Sequence, residues 1–121
     1  MCRVCVCVFS FTEIFGIFSG PDPSFQEALV ANLNYSDHIL VQGGLQDVSF
    51  FNSGSYNVSG NPNAKVLYTY ASGLPAVIAL ENVGPGNGAV LIVADYEVFL
   101  SAFGDTQLFL DAVVDWAHER K

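Results

Sequence analysis

The chain has 121 residues, of which 51% are apolar and only 13% charged, so its composition is that of one folded globular domain, residues 1–121. Its formal net charge is −8, because twelve acidic residues outnumber four basic ones. Four basic residues cannot line a groove for phosphate backbones, which excludes nucleic acid as a direct partner. No apolar run approaches the roughly 18 residues of a membrane span, so direct membrane insertion is not expected.

The first residues, Met1–Arg3, lead into an apolar and β-branched run at 4–9. The pattern faintly resembles a signal peptide, but Glu13 interrupts it and no small-residue cleavage site follows. A buried strand is therefore the preferred interpretation. Asn34 and Asn57 each begin a glycosylation sequon, which matters only in a secreted chain. Localisation stays open, with the cytoplasm favoured over secretion.

Ser24 and Glu27 have the spacing of a capping box, in which two side chains satisfy backbone N–H groups at the start of a helix. This local signal predicts a short helix that ends at Ala31. The polar stretch 32–38 predicts a turn.

The middle of the chain is rich in β-branched and aromatic residues and predicts strands. The stretches 47–51 and 56–58 flank Asn52–Gly54, so a hairpin is predicted there. Residues 60–63 predict a second turn, and residues 65–70 predict the strand that follows it.

Two further strands are predicted at 75–80 and 89–94. Six consecutive apolar residues in the second are typical of a strand covered on both faces, which makes it the best candidate for the central strand. Between the two strands, Gly84, Gly86 and Gly88 superficially resemble a phosphate-binding loop. Such loops lead from a strand into a helix, so a hairpin turn is preferred here.

The C-terminal segment predicts a helix that is capped by Asp105 or Thr106 and runs to about Glu119. Apolar residues form one stripe along this helix and acidic residues lie on the opposite face, which indicates that the stripe packs on a core. The stripe consists of Phe109, Ala112, Val113, Trp116 and Ala117.

A cysteine cluster near the start is the first group that could carry chemistry. Cys2, Cys5 and Cys7 have a CxxCxC spacing, but a structural zinc site needs a fourth ligand. If the segment is a strand, alternation would also point Cys2 away from the other two. Reduced core cysteines are therefore preferred, and no metal or cofactor is expected.

The second group is a set of polar residues at the expected strand ends. Asp95 and Glu97 follow the predicted central strand, and ligands of open α/β sheets bind beyond the carboxyl ends of strands. Asp95 could act as a base or ligand, but pinning the following loop through backbone N–H groups is preferred. His38 completes the candidate ligand-binding set. No catalytic residue is assigned, because no G-x-S-x-G or cysteine elbow is present, although distant residues could still converge.

Four stretches resemble class I glutamine amidotransferase-like domains, namely residues 38–50 (H-P-I-x-x-G-V-x-x-V-x-F), 73–79 (G-x-P-A-V-V-A), 83–95 (x-G-x-G-R-V-V-V-x-G-D) and 108–116 (L-F-L-N-A-V-x-W-L). Phe15–Ile17 is similar to an upstream y-G-I segment. The resemblance is to the non-catalytic branch. That branch includes gliding-motility and ABC-transport auxiliary domains, the N-terminal domain of an intraflagellar transport subunit, and trehalose-utilisation-like proteins.

This resemblance implies an α/β fold, with a flavodoxin-like, mostly parallel sheet, an added antiparallel hairpin and a C-terminal helix packed on it. It also implies that residues 24–31 can be extended rather than helical. Relatives carry several βα units before the y-G-I segment, so the chain is expected to be the C-terminal portion of an incomplete domain. Ala89 and Ala94 stand where the relatives have Arg and Gly.

The function expected from these features is a non-catalytic binding or assembly module. A missing front half would leave an apolar sheet edge uncovered, so a protein partner, a second copy or a longer chain is expected to cover it. One alternative is a hydrolase or sugar-utilisation-type enzyme, in which Asp95, Glu97 and His38 meet at the strand ends. A metal-binding protein that uses the N-terminal cysteines is the other alternative.

Overall fold

A computed structural model shows a mixed α/β fold with a six-stranded sheet, a two-stranded ribbon and a C-terminal helix. It describes residues 4–7, 12–21, 26–42, 44–45, 49–51, 54–83, 88–94 and 107–119. The strands of this part of the chain are β1 Val4–Cys7, β2 Phe18–Ser19, β3 Gln26–Ala31, β4 Ser49–Phe51, β5 Tyr56–Asn57, β6 Lys65–Tyr70, β7 Pro75–Val83 and β8 Gly88–Val93. Its α-helices are α1 Ile39–Gln42 and α2 Gln107–Glu119, and short 3-10 helices lie at Thr12–Phe15 and Leu33–Tyr35.

The main sheet has the strand order β1–β8–β7–β6–β3–β4, while β2 and β5 form the separate ribbon. Among the described strands, only the pairing of β1 with β8 is parallel, with Val4 opposite Ala89 and Cys7 opposite Ile92. The other four pairings of the main sheet are antiparallel. These strands therefore do not show the mostly parallel, flavodoxin-like sheet that the resemblance implies. Short connections explain the difference, because β6, β7 and β8 follow one another too closely for parallel crossovers.

The predicted helix that ends at Ala31 is wrong. Residues 26–31 form β3, which pairs with β6 through Leu29 opposite Tyr70 and with β4 through Ala28 opposite Ser49. Pairing on both sides satisfies more backbone groups than one local cap does, so tertiary structure overrides the capping-box signal. The extended alternative, which the family resemblance implied for this segment, is the one that the structure bears out.

The hairpin predicted around Asn52–Gly54 is also wrong. β4 pairs with β3, whereas β5 pairs with β2, so the two predicted arms belong to different sheets. The hydroxyl of Tyr56 donates to the carbonyl of Val93 at 2.7 Å, and the hydroxyl of Tyr70 donates to Gly54 at 2.7 Å. These two bonds attach residues 54–56 to β6 and to the end of β8, so this segment does not pair with β4.

Other strand predictions are confirmed. β6 spans the predicted residues, β7 begins at Pro75 as expected, and β7 and β8 are antiparallel neighbours around the glycine-rich stretch. Residues 89–93 of β8 are at most 4% exposed, in agreement with a strand covered on both faces. β8 is interior but not central, because only β1 separates it from the edge of the described sheet.

The C-terminal helix is confirmed over Gln107–Glu119 and in its faces, whereas the predicted cap residues Asp105 and Thr106 lie outside the described residues. Phe109, Ala112 and Trp116 of α2 are buried, whereas Asp111 and Asp115 are exposed. α2 packs against α1, and the Phe109 ring meets the Tyr68 ring of β6 edge to face, with centroids 6.4 Å apart. No helix in the described part of the chain is long and apolar enough to cross a membrane.

Candidate functional site

His38 is the one predicted site residue that lies within the described part of the chain. Asp95 and Glu97 lie outside the described residues, as do Cys2 and the side chains of Cys5 and Cys7. No group of three His, Cys, Asp or Glu side chains that could hold a metal ion occurs among the described residues. The site is therefore built outward from His38.

His38 caps the first turn of α1. The backbone N–H of Leu40 donates to Nδ1 of the imidazole at 3.1 Å, and the His38 carbonyl accepts from the N–H groups of Val41 and Gln42 at 2.9 Å. The ring thus does what a Ser, Thr, Asn or Asp side chain does at the start of a longer helix. A backbone N–H can only donate, so Nδ1 carries no hydrogen and the neutral ring carries its hydrogen on Nε2.

The second ring nitrogen faces a carboxylate. Nε2 of His38 lies 3.3 Å from Oε2 of Glu81, and the two side chains are only 10% and 12% exposed. With its hydrogen on Nε2, the ring donates to Glu81 while it accepts from Leu40. Both nitrogens of His38 are therefore engaged, and neither is left to activate a nucleophile.

Glu81 collects two further donors. The indole Nε1 of Trp116 donates to Oε2 at 2.7 Å, and Nζ of Lys65 donates to Oε1. The Trp116 ring also lies against the ring of His38, with centroids 6.2 Å apart and an interplanar angle of 56°. We call His38, Lys65, Glu81 and Trp116 the Glu81 cluster. It joins β6, β7, α2 and the residue that caps α1.

A β-bulge positions Glu81 at the end of β7. Glu81 pairs with Ala89 and Val83 pairs with Gly88, so Asn82 is an extra residue in the ladder. Asn82 has a φ of 58°, in the left-handed region that asparagine adopts more readily than most residues. Lys65 pairs with Ala79, two residues before Glu81, which makes Lys65 and Glu81 diagonal neighbours on one face of the sheet.

Hydrogen-bond donors stabilise the ionised form of Glu81. Burial alone would raise the pKa of this carboxyl group. Hydrogen bonds from Lys65 and Trp116, together with the charge of His38 when its ring is protonated and the charge of Lys65, outweigh burial and lower the pKa of Glu81 to about 2. The group is thus a carboxylate at any pH near neutrality. General acid–base catalysis needs a pKa near the working pH, so Glu81 is poorly suited to that role.

An open cleft of about 370 Å³ lies between β3 and α1. Its side chains are apolar apart from the hydroxyl of Tyr68, polar backbone atoms share the lining with them, and Val30 is 49% exposed. The Tyr68 hydroxyl accepts from the backbone N–H of Leu45 at 2.9 Å and donates to the carbonyl of Leu40 at 3.2 Å, which joins β6 to α1. We call this feature the β3–α1 cleft. Its lining residues are Leu29, Val30, Ala31, Val41, Gly44, Leu45 and Tyr68.

Sequence reasoning missed both the partners of His38 and the cleft. Glu81 could have been found, because it directly follows the apolar run 75–80, and a carboxylate next to a buried strand needs partners. The cleft could not be found once β3 was predicted as a helix. No protein family model, curated protein or solved structure matches this chain. Its function is therefore inferred from the geometry of these residues.

Proposed function

We propose that this chain is a non-catalytic binding or assembly module. It would act through protein–protein contact, as the C-terminal portion of a class I glutamine amidotransferase-like, flavodoxin-like domain. The observation that carries the non-catalytic part is the closed Glu81 cluster. The sequence resemblance described above is the support for the family.

The Glu81 cluster supports a structural role because each polar atom named in it already has a partner within the fold. His38 accepts from Leu40 and donates to Glu81, and Glu81 also accepts from Lys65 and Trp116. An enzyme of the hydrolase type would need His38 available to meet Asp95 and Glu97. The contacts of His38 weigh against that alternative.

Binding surfaces are expected where the fold is incompletely covered. β1 and β4 are the outermost of the described strands, and the outer edge of a strand can pair with another chain. The apolar side chains that line the β3–α1 cleft, with Val30 exposed among them, mark a second such region. A partner segment or a second copy that covers the cleft would bury the exposed side chain of Val30.

Thermal unfolding at several protein concentrations tests assembly. We expect a cooperative circular-dichroism transition whose midpoint rises with concentration, because association stabilises only the folded state. Val30→Lys is the informative variant and Val114→Lys the matched control, since these valines are 49% and 56% exposed and only Val30 lines the cleft. Val30→Lys should remove the concentration dependence, and Val114→Lys should keep it.

Two results would contradict the proposal. If the unmodified chain shows a cooperative transition whose midpoint does not depend on concentration, the chain does not self-associate through the cleft. If the chain hydrolyses an ester, amide or glycoside and Asp95→Asn abolishes this activity, the chain is an enzyme and the proposal is wrong.

A further inference from the structure

We propose that His38 is a pH-sensitive cap: protonation of its Nδ1 removes the acceptor of the Leu40 N–H and releases the start of α1. This inference is independent of the proposed function, because it concerns one side chain and the helix that it caps. It stands on the two opposed hydrogen bonds of the imidazole.

The contacts of His38 fit the neutral ring and not the charged one. Nδ1 must accept from Leu40 at 3.1 Å, while Nε2 lies 3.3 Å from Oε2 of Glu81. Protonation turns both ring nitrogens into donors. Nδ1–H would then face the N–H of Leu40, so two donors would meet where one hydrogen bond existed.

The conflict is resolved at α1 rather than at β7. The protonated ring gains attraction to the Glu81 carboxylate, which keeps the ring beside the sheet. Leu40 is fully buried, and an N–H in the first turn of a helix has no intrahelical acceptor. A buried N–H without an acceptor is unfavourable, so the backbone at Leu40 must move to find water.

The loss of the cap acts on the first turn of α1, because packing against α2, the burial of Leu40 and the bonds from Val41 and Gln42 to the His38 carbonyl hold the rest of the helix. The helix has four residues, Ile39–Gln42, and the Tyr68 hydroxyl donates to the carbonyl of Leu40. Val41 of α1 lines the β3–α1 cleft. Release of the first turn therefore changes one wall of the cleft, which makes the shape of the cleft dependent on pH.

The charged and polar groups that face the imidazole come from three elements and from its own segment. Glu81 of β7 is a carboxylate near neutral pH, Lys65 of β6 is its ion-pair partner, and Trp116 of α2 carries no charge. Asp37, which precedes His38 on its own segment, is exposed. Histidine changes charge between about pH 8 and pH 5. Acidification over that interval therefore acts on the cluster through the imidazole.

Amide hydrogen exchange followed by NMR tests the cap directly. After correction for the intrinsic pH dependence of exchange, we expect the protection of the Leu40 amide to fall by about tenfold between pH 8 and pH 5. Trp116 is the only tryptophan of the chain and lies beside His38, so its fluorescence should change over the same interval. Protection that stays constant would overturn the proposal.

Two variants separate the cap from other effects of acid. His38→Asn keeps an acceptor for the Leu40 N–H but cannot titrate, so its Leu40 protection should stay constant. His118→Asn removes the only other histidine, exposed near the end of α2, and should behave like the unmodified chain. If His38→Asn fails to fold, nitrogen-15 spectra of the unmodified chain still decide the matter. Observation of hydrogen on Nδ1 at pH 8 would overturn the proposal.

Discussion

Glu81 illustrates how one buried carboxylate can organise several elements at once. Its donors come from β6, from α2 and from the residue before α1, so the free energy of each contact depends on the others being in place. Such clusters hold elements in one arrangement, but they are destabilised strongly when one member is removed. The Glu81 cluster is therefore where a single substitution should be felt in three elements.

Stability should depend on pH through Glu81. Its folded-state pKa of about 2 lies below the ordinary value of 4.5, so its contribution is complete above about pH 4.5 and is lost as the pH falls towards 2. The lowered pKa stabilises the folded state. Because Lys65 is partly exposed and water screens its charge, we expect this stabilisation to be only about 2 kcal/mol. Glu81→Gln should lower the free energy of unfolding by this amount at pH 7, measured with urea.

Unfolding of the variants at several pH values provides a control for this prediction. Glu81→Gln should also reduce the change in the free energy of unfolding with pH below about 4.5. Asp115→Asn, which changes an exposed acid on α2, should leave that change nearly the same. An acid profile of Glu81→Gln identical to that of the unmodified chain would show that other carboxylates carry the effect.

A side chain at Gly16 or Gly73 would have an unfavourable backbone conformation, and at Gly16 it would also clash with a neighbouring backbone. Both have positive φ, 75° and 92°, but a Cβ on Gly16 would lie 2.5 Å from the Gly60 carbonyl oxygen, and a Cβ on Gly73 would meet nothing within 4 Å. Gly73→Ala should cost about 1 to 2 kcal/mol from conformation alone. Gly16→Ala should cost at least about 3 kcal/mol, because the Gly60 backbone must also move. Equal losses in urea unfolding would contradict the steric part.

At the scale of the element, α2 is a helix whose faces have very different energetic weight. Phe109 is fully buried against Tyr68, whereas its neighbour Leu108 is 62% exposed. Phe109→Ala should lower the free energy of unfolding by about 3 to 5 kcal/mol, and Leu108→Ala by less than about 0.5 kcal/mol. Chemical denaturation of the two variants measures the difference. Similar losses would mean that α2 is packed differently.

The elements also show what the sequence could reveal. α2, β6, β7 and β8 were predicted because a long periodic stripe or a continuous apolar run decides their structure locally. β3 was not predicted, because its structure depends on two partners distant in sequence, and the capping-box spacing of Ser24 and Glu27 indicated a helix instead. The cluster around His38 escaped prediction for the same reason. Glu81 and Trp116 meet only after β7 and α2 have packed.

At the scale of the whole molecule, the parallel pairing of β1 with β8 joins Val4–Cys7 to a strand that begins only at Gly88. Removal of residues 1–9 should expose one edge of β8, whose residues 89–93 are otherwise buried. We expect the melting temperature to fall by about 10 °C or more, or the cooperative transition to disappear. Circular dichroism measures either result.

A complementation experiment shows whether that loss belongs to the strand. Adding a synthetic peptide of residues 1–11 to the shortened chain should restore part of the melting temperature, and a peptide of the same composition in scrambled order should not. An unchanged melting temperature after removal of residues 1–9 would mean that the pairing of β1 with β8 contributes little.

This pairing also has a consequence for synthesis on the ribosome. β1 leaves the ribosome well before β8, which begins only at Gly88. At about 5–20 residues per second, the apolar segment waits roughly ten seconds for its partner. Closing so long a loop is also slow compared with forming a hairpin. The nascent chain therefore completes its sheet only after most of it has been translated, and an early apolar strand must be kept from other chains until then.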